Sequence, residues 1–384
     1  MKFNKTLFVL ALGVFGITTT EFGVIGILPE LASVFNVSID KAGWLLSAFA
    51  IIVAVFGPFM VSLLSSYNRK KLLVFSLFVF AVSNILSALA TDFTFLLVIR
   101  MLPAFFHPVY WSIALATAVQ DAPTNQSSKA VSTIFSGLTI ATVLGVPLAT
   151  ILVDLLNWQS SFLLSAMINI VSLIGVMRFL PSIKATETKI DYSKKEILRN
   201  PNLWLNVLLA FCIITAMYST YGYMADFLKT VSKMNGKEIS IVLFLFGIAG
   251  IIGNRIVGRY MSFKPFQTAF IFLISLIAVH FLLLFFGSYF VPMVIIIGIW
   301  GLIHTGGLLI SNVIVTSSAP QAQEFVNSIF TSCGNFAVTV GASFGGFWII
   351  YFGVQQVAWS SILFLILSLS ILLAKKMLSP NNKN

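Results

Sequence analysis

Glu21 and Arg100 are charged residues that lie well inside long apolar stretches of this 384-residue chain. Glu21 lies seven residues before Leu28, where the first stretch ends, and Arg100 lies six residues into the fourth. Because the two helices would run in opposite directions, both charges fall at a similar depth, about 10 Å from one membrane face. A charge at that depth costs roughly 3 kcal/mol on insertion scales and usually marks function. We therefore predict an acid–base pair across a polar cavity; the alternative is a fixed ion pair that only joins two helices.

Two histidines form the second chemical feature. His107 follows Arg100 by seven residues and Trp111 follows His107 by four, which places all three on one helix face. His304 has the corresponding place in the tenth apolar stretch, with Trp300 one turn before it. Histidine titrates near neutrality and relays protons or hydrogen-bonds polar substrates. The structural alternative is a histidine that is satisfied within its own helix.

The composition indicates that these residues act inside a membrane. The chain is 58% hydrophobic and 9% charged, with a mean hydropathy of +1.00, whereas soluble domains carry about 25% charged residues. Its net charge of +11 falls in short clusters between apolar stretches, a pattern typical of membrane proteins and not of nucleic-acid-binding proteins. Cys212 and Cys333 show no metal-ligand spacing, and we interpret them as packing residues. His280, which has no counterpart in the other half, is interpreted as structural.

Twelve apolar stretches are long enough to cross a bilayer as helices. They cover residues 6–28, 42–64, 72–91, 94–119, 130–154, 161–180, 203–227, 239–261, 266–287, 289–315, 325–352 and 356–374. The first stretch has no small-residue cleavage site, so it is interpreted as a retained helix and not as a signal peptide. With both termini in the cytoplasm, 18 of the 23 Lys and Arg residues lie inside and four outside. The positive-inside rule therefore predicts this orientation.

The second half of the chain repeats the first at an offset of 196 residues. The offset aligns three pairs of glycines and one pair of acids. The pairs are Gly26 with Gly222, Gly57 with Gly253, Gly145 with Gly341, and Glu30 with Asp226. His107 and His304 are 197 residues apart. A parallel repeat in an apolar chain predicts two membrane bundles with a path between them.

We accordingly predict an all-α membrane protein in three parts. A six-helix bundle covers residues 1–181, a cytoplasmic linker covers 182–202, and a second six-helix bundle with a short cytoplasmic tail covers 203–384. Within the linker, the segment DYSKKEILRN is either a short amphipathic helix on the inner leaflet or a solvated tether.

Further candidates come from side chains near the polar positions and from helix-disturbing residues. The candidates for substrate binding are Phe22, Trp111, Tyr218, Tyr221, Trp300, His304 and Asn335. The candidates for conformational change are Gly57, Arg69, Gly137, Gly145, Pro147 and Gly341. Small residues let membrane helices approach closely and slide, although packing alone explains most of the glycines. Pro147 leaves a backbone carbonyl without its helical partner.

Four segments resemble a known transporter family. TTEFGVIGILPELA, GLTIATVLGVPLAT, NWQSSF and GNFAVTVGASFGG are similar to the twelve-helix drug:proton antiporters of the major facilitator superfamily, especially the sugar-, arabinose- and purine-efflux branch. The resemblance covers the whole chain. Ala149 replaces the last glycine of the fifth-helix antiporter motif, which is otherwise matched at Gly137, Gly145, Val146 and Pro147. The resemblance implies that Glu21 is the protonation site and that Arg100 lies in the cavity and takes part in proton transfer.

One loop departs from the family pattern. The loop after the second helix normally carries an Asp-Arg pair before its basic run, and here Ser65 and Ser66 occupy those positions. Gly57 and the basic run 69–71 are kept. In the family the acid helps to latch the outward-facing state against the C-terminal half. Either Asn68 partly substitutes for that acid, or the conformational balance of this protein differs.

The sequence thus favours a secondary active exporter that exchanges small organic molecules for protons by alternating access. Glu21 would be protonated from outside and would release its proton inside. Burial disfavours the charged carboxylate and Arg100 favours it, so substrate or a movement of Arg100 would switch the proton on and off. The expected partners are a small-molecule substrate, protons and the lipid bilayer, with no nucleic acid. We expect a monomer in the bacterial cytoplasmic membrane, without cofactor or metal.

Three alternatives remain. A proton symporter or a uniporter of a nutrient would differ in the sign or presence of proton coupling. A polytopic membrane enzyme would need paired acids, a metal cluster or a nucleophile constellation, and the sequence has no such motif and no phosphate-binding loop. A passive channel is disfavoured because two glycine-rich halves suit a rocking device better than a fixed pore. Drugs, nucleobases and sugars all remain open as substrates.

Overall fold

The computed structural model of the chain describes residues 2–37, 39–120, 122–123, 126–181 and 194–378. Twelve helices in this part are long and apolar enough to cross a membrane, and each overlaps one of the twelve predicted stretches. Their bounds are α1 Lys2–Phe22, α2 Trp44–Leu63, α3 Arg69–Ala88, α4 Phe93–Gln120, α5 Ser127–Ile140 with Val146–Leu155, α6 Trp158–Phe179, α7 Pro201–Tyr221, α8 Gly236–Met261, α9 Pro265–Phe286, α10 Phe290–His304 with Gly306–Thr316, α11 Gln323–Phe352 and α12 Ala358–Leu378. The predicted all-α membrane fold is confirmed.

Short helices repeat the offset that the sequence shows. After α1 comes a 3-10 turn and then a helix at Leu28–Val34, and after α7 comes a helix at Met224–Thr230. The two short helices are separated by 196 residues at both their first and last positions. Each begins near an acid, Glu30 or Asp226, which is favourable beside the unpaired N–H groups of a helix N-terminus.

The predicted break near Pro147 takes the form of a π-helical turn. Residues Ala141–Gly145 form this turn, which joins the two α-helical parts of α5. A proline has no N–H to donate to the carbonyl four residues earlier, and a wider turn absorbs the resulting mismatch. The irregular backbone of α5 is thus a direct consequence of one residue type.

Glycines at repeat-related positions let two pairs of helices approach closely. A Cβ atom at Gly145 of α5 would lie 2.8 Å from the Thr19 hydroxyl of α1. A Cβ atom at Gly341 of α11 would lie 2.6 Å from the Thr215 carbonyl oxygen of α7. Thr19 and Thr215, like the two glycines, are 196 residues apart. The repeat therefore preserves a helix contact as well as a sequence, as expected for membrane helices that pack through small residues.

The chain forms two compact units. The first consists of Met1–Pro123, Thr133–Asp191 and Gln321–Asn335, and the second of Thr124–Ser132, Tyr192–Pro320 and Phe336–Asn384. Helices α5 and α11 therefore contribute to both units. In the first unit, α3 packs on α6 and α2 packs on α4; in the second, α8 packs on α10 and α7 packs on α12.

Much of the predicted linker, residues 182–193, lies outside the described residues. The part that is described forms a helix at Lys194–Arg199. Ile197 of this helix is buried, and the Trp204 indole donates a hydrogen bond to the Leu198 carbonyl oxygen at 2.6 Å. These contacts attach the short helix to the start of α7, and its association with the membrane surface stays a prediction.

Candidate proton and substrate sites

One face of α4 carries the predicted chemical residues of the first unit. Arg100 and His107 are each only 3% exposed, and Trp111 is also buried. The Trp111 indole N–H donates to Nε2 of His107 at 3.1 Å, across one turn of the helix. The seven- and four-residue spacings therefore bring these side chains together as the helical period requires.

Glu21 pairs with His107, whereas the sequence suggested a pair with Arg100. Oε2 of Glu21 lies 3.1 Å from Nε2 of His107, and the Glu21 residue is 8% exposed. The ion pairs found among the described residues do not include Glu21 with Arg100. Similar depth in the membrane brings all three groups into one site, but the direct partner of the acid is the imidazole.

Arg100 is held at the end of α1 by a backbone group. Its Nη2 donates to the Thr20 carbonyl oxygen at 3.0 Å, and its guanidinium lies 5.6 Å from the centre of the Phe162 ring. Because α1 ends at Phe22, the Thr20 carbonyl is among the last four of the helix, which lack the regular α-helical partner. A cation is also favoured beside a helix C-terminus. The helix end thus explains the position of the arginine next to Glu21.

Two asparagines fix the backbone that carries Glu21. The side-chain amides of Asn84 and Asn169 donate to the Thr20 hydroxyl at 2.8 Å and 2.9 Å. The Asn169 amide also donates to the Gly16 carbonyl oxygen at 3.1 Å. These buried bonds tie α1 to α3 and α6 one residue before the acid. Such second-layer support holds a functional side chain in position.

The two contacts of His107 Nε2 make opposite demands on one proton. An indole N–H can only donate, so the bond from Trp111 requires a lone pair on Nε2. A carboxylate can only accept, so an ionised Glu21 requires a proton on Nε2. Both bonds therefore cannot form fully while Glu21 is ionised, and a protonated Glu21 would instead compete with Trp111 for the lone pair. The arrangement is sensitive to the position and number of protons.

The second unit holds a cluster of aromatic rings around His304. Tyr221 stacks on Phe246 with centroids 5.1 Å apart, and its ring centre is also 5.1 Å from that of His304. Tyr218 lies 6.3 Å from His304, and Trp300 lies 5.8 Å from it. We call these five residues the aromatic cluster. It includes four of the side chains that the sequence analysis named as substrate-binding candidates.

Polar atoms in and beside the aromatic cluster have no hydrogen-bond partner among the described residues. They are Nε1 of Trp300, Nδ1 of His304 and Nε2 of His280. The ring centres of His280 and Trp300 are 5.2 Å apart, and Nδ1 of His280 is within 2.8 Å of the Leu276 carbonyl oxygen. Buried polar atoms are nearly always paired, so these groups are suited to bind water or a polar part of a ligand.

An ion pair lies next to the loop where the expected acid is missing. Arg69 forms an ion pair with Glu324, at the start of α11, and donates to the Gln120 side-chain oxygen at 3.1 Å. The side chain of Asn68 instead accepts from the Lys71 backbone N–H and caps α3. The acid opposite Arg69 therefore comes from a distant part of the sequence, and a substitution of Asn68 for the missing acid stays a prediction.

The remaining candidates take no part in the hydrogen bonds and ring contacts described above for Glu21, His107 and the aromatic cluster. Phe22 is half-buried beside Glu21, and the half-buried Asn335 amide donates to the Thr331 carbonyl oxygen in its own helix. A Cβ atom at Gly57 would lie 2.6 Å from the Ser332 hydroxyl, and one at Gly137 would clash with the Ala11 carbonyl oxygen. These glycines permit close packing, and their part in conformational change stays a prediction.

Several residues of the site were absent from the sequence candidates. Glu324 lies at the edge of a predicted apolar stretch, and this position alone does not indicate a partner 255 residues away. Phe246 was one of 37 phenylalanines, without a distinguishing neighbour. Asn84 and Asn169 are single amides within predicted spans, and a buried amide in a membrane helix is a signal that would have found them. Within the described residues, no group of His, Cys, Asp and Glu is arranged to hold a metal ion.

Comparisons with known proteins agree with this architecture. The family model described as "Major Facilitator Superfamily" matches residues 10–324. The chain is 30% identical over 346 residues to the inner membrane transport protein YdhP of Escherichia coli K12, covering 90% of this chain and 89% of YdhP. It is 28% identical over 351 residues to a probable sugar efflux transporter of Helicobacter pylori P12, covering 91% and 90% of the two chains. The crystal structure of the human organic anion transporter MFSD10 has a similar fold, with a TM-score of 0.80, 14% identity and coverage of 96% and 99%.

Proposed function

Because the chain belongs to the major facilitator superfamily and is a multi-pass inner-membrane transporter, not an enzyme, we propose that it exports small organic molecules in exchange for protons. Transport would proceed by alternating access, in which the two six-helix repeats, residues 1–181 and 203–384, expose the site to one side of the membrane at a time. The observation that carries the proposal is the contact of Glu21 with His107 Nε2, which also accepts from Trp111.

The charge of this site supports the proposed proton exchange. With Glu21 ionised, its negative charge is balanced by the buried guanidinium of Arg100; one added proton leaves the site with a net positive charge. A buried, uncompensated charge is costly. Protonation therefore favours a different arrangement of the site from the unprotonated state, and a substrate that binds one of the two arrangements is coupled to the proton. When substrate and proton favour opposite arrangements, the result is exchange.

The test uses purified protein in liposomes that contain a pH-sensitive dye. A proton gradient is imposed, and a sugar, a purine, a cationic dye or chloramphenicol is added to the wild type and to Glu21→Gln. The matched control is Glu30→Gln, which removes an exposed acid nine residues further along the chain. We expect substrate-dependent proton flux in the wild type and in the control, and its loss in Glu21→Gln.

The direction of proton movement separates the possible outcomes. Protons that move against the substrate support exchange, whereas protons that move with it would replace the proposal by cotransport. Substrate movement without proton flux, unaffected by Glu21→Gln, would identify a facilitator and leave Glu21 as part of a structural pair.

For the substrate, we propose that the aromatic cluster contacts a polar organic molecule and that sugars are the first class to test. The relative from Helicobacter pylori is named a probable sugar efflux transporter. Binding sites for small molecules combine aromatic walls with a few polar groups that fix orientation, and the unpartnered atoms of Trp300 and His304 supply such groups. Replacing Trp300 by Phe keeps a ring and removes the N–H. We expect a higher KM for sugar transport in this variant, while Tyr289→Phe, at an exposed ring, transports as the wild type does.

We further propose that both termini are cytoplasmic and that the monomer is the transporting form. The distribution of Lys and Arg supports this orientation through the positive-inside rule. A C-terminal green fluorescent protein fusion should fluoresce, because that fusion matures in the cytoplasm, and a C-terminal alkaline phosphatase fusion should be inactive. The reverse pattern would invert the topology.

A further inference from the structure

A groove of about 400 Å³ lies between α8, α9 and α10, entirely within the second unit. Most of its wall is aliphatic, with Ile256 and Val257 from α8, Ile271 from α9 and Leu302 from α10. Ile256, Ile271 and Leu302 are exposed, so the groove opens to the surroundings of the helices and not into the core. Exposed aliphatic side chains on membrane-spanning helices are suited to contact lipid.

Polar groups are concentrated at one end of the groove. Tyr260 at the end of α8 and Lys264, Gln267 and Thr268 at the start of α9 line this end. Within the described chain, neither the Lys264 ammonium nor the Gln267 amide has a side-chain hydrogen bond or an ion pair. The groove therefore combines an apolar channel with a free cation and a hydrogen-bond donor at its mouth.

The length of the groove matches one leaflet of a bilayer. It extends along α9 from Lys264 to Ser275, eleven residues, or about 16 Å at the helical rise of 1.5 Å. The hydrocarbon core of a bilayer is about 30 Å thick, so one leaflet contributes about half of that. An acyl chain that follows the groove from its polar end would reach the bilayer centre near Ser275.

The described lining of the groove contains one charged side chain, Lys264, and no acid. No acidic residue occurs between residues 239 and 323, whereas Arg255, Arg259 and Lys264 fall in this part of the sequence. Lys376 of α12 lies nearby, with its ammonium 4.6 Å from the centre of the Phe266 ring. Basic clusters at the membrane boundary, next to apolar grooves, are suited to the phosphate of an anionic lipid.

We propose that this groove binds an anionic phospholipid, with one acyl chain between α8, α9 and α10 and the phosphate on Lys264. Neutral phospholipids offer the same chain but lack the net negative charge that complements the basic end. The lipid site uses none of the residues of the proton site or of the aromatic cluster. It reaches α10 at Leu302 and Ile303, directly before His304, so an occupied groove would contact the same helix that positions the aromatic cluster.

The test is native mass spectrometry of the purified full chain, titrated with phosphatidylglycerol and phosphatidylcholine that carry identical oleoyl chains. Lys264→Gln removes the charge at the mouth, and Lys237→Gln is the control, at an exposed lysine near the opposite end of α8. Ser275→Phe fills the deep end of the groove without changing its charge. Thermal unfolding of each lipid-free variant verifies that it is folded.

We expect the wild type and Lys237→Gln to bind phosphatidylglycerol more tightly than phosphatidylcholine. Lys264→Gln should bind phosphatidylglycerol about fivefold more weakly and phosphatidylcholine unchanged, as expected for the loss of one basic residue near an anionic headgroup. Ser275→Phe should weaken dioleoyl but not dihexanoyl phosphatidylglycerol. The proposal is overturned if the wild type binds the two headgroups equally or if Lys264→Gln binds as the wild type does. It is also overturned if Ser275→Phe leaves dioleoyl binding intact, since the lipid would then be held at the surface only.

Discussion

Substitutions at Arg69 and Glu324 test whether the two charges of the ion pair at the start of α3 stabilise each other. Glu324→Gln leaves the permanently charged guanidinium of Arg69 with the neutral side chain of Gln120 as a partner. Arg69→Gln leaves Glu324, which can take up a proton and become neutral. Replacing both residues by glutamine leaves no buried charge without a partner. The predicted order of stability is therefore wild type and double variant above both single variants, with Glu324→Gln the least stable.

The magnitude follows from the burial of the pair. The side chains of Arg69 and Glu324 are 10% and 16% exposed, so a charge left alone there is largely removed from water. Removing one partner of a buried pair costs about 3–5 kcal/mol, and the lower end applies here because both groups keep some exposure. At the roughly 2–4 °C per kcal/mol typical of units of 150–250 residues, Glu324→Gln should lower the unfolding temperature by about 6–12 °C.

The assay is thermal unfolding in detergent, followed through tryptophan fluorescence, with transport in liposomes measured on the same preparations. Lys71→Gln is the control, because Lys71 is exposed and is two residues from Arg69. We expect Lys71→Gln to unfold within about 1–2 °C of the wild type, since exposed charges contribute little. The reasoning is refuted if the double variant is less stable than both single variants, or if Glu324→Gln unfolds at the wild-type temperature.

Three further predictions concern the proton site and helix packing. Trp111→Phe removes the N–H that donates to Nε2 of His107; at about 1 kcal/mol for a bond that positions the imidazole beside Glu21, the rate of proton-driven transport in liposomes should fall about fivefold, and a wild-type rate would contradict this role. Asn169→Ala should lower the transport rate in liposomes and destabilise the protein by about 1–3 kcal/mol, seen as a lower unfolding temperature, because buried bonds to α1 are lost. Gly341→Ala should lower the unfolding temperature by several degrees, because its Cβ would lie 2.6 Å from a backbone oxygen, whereas Gly298→Ala, whose nearest neighbour would lie 3.8 Å away, should unfold as the wild type does.

Periodic features were predictable because they arise from local chemistry. The twelve spans follow from the length of apolar sequence that crosses a bilayer, and the structure reproduces each of them. The common face of Arg100, His107 and Trp111 follows from the helical period, and so does the neighbourhood of Trp300 and His304. The break near Pro147 follows from the missing N–H of one residue.

Partners that belong to different helices were not predictable in the same way. The depth of Glu21 and Arg100 along their helix axes places the two residues near each other. Depth does not determine how each helix is rotated about its own axis. The observed rotation makes His107 the direct partner of Glu21. The Thr20 carbonyl that receives Arg100 is available because α1 ends two residues later, whereas the first predicted stretch extends to residue 28. Helix ends are the least certain feature of any sequence-based assignment.

The sequence by itself determined that this protein lies in a membrane, how many membrane-spanning helices it has, that its two halves are repeats, and which residue types are available for proton chemistry. These properties follow from composition and from periods of four to seven residues, which act within single helices, and from the 196-residue offset, which is read directly from the chain. The tertiary structure decided which of those residues meet: Glu21 with His107, Arg69 with Glu324, and four aromatic rings around His304. Such contacts depend on helix rotation and on side-chain packing between helices distant in sequence, and these are fixed only when all the helices pack together.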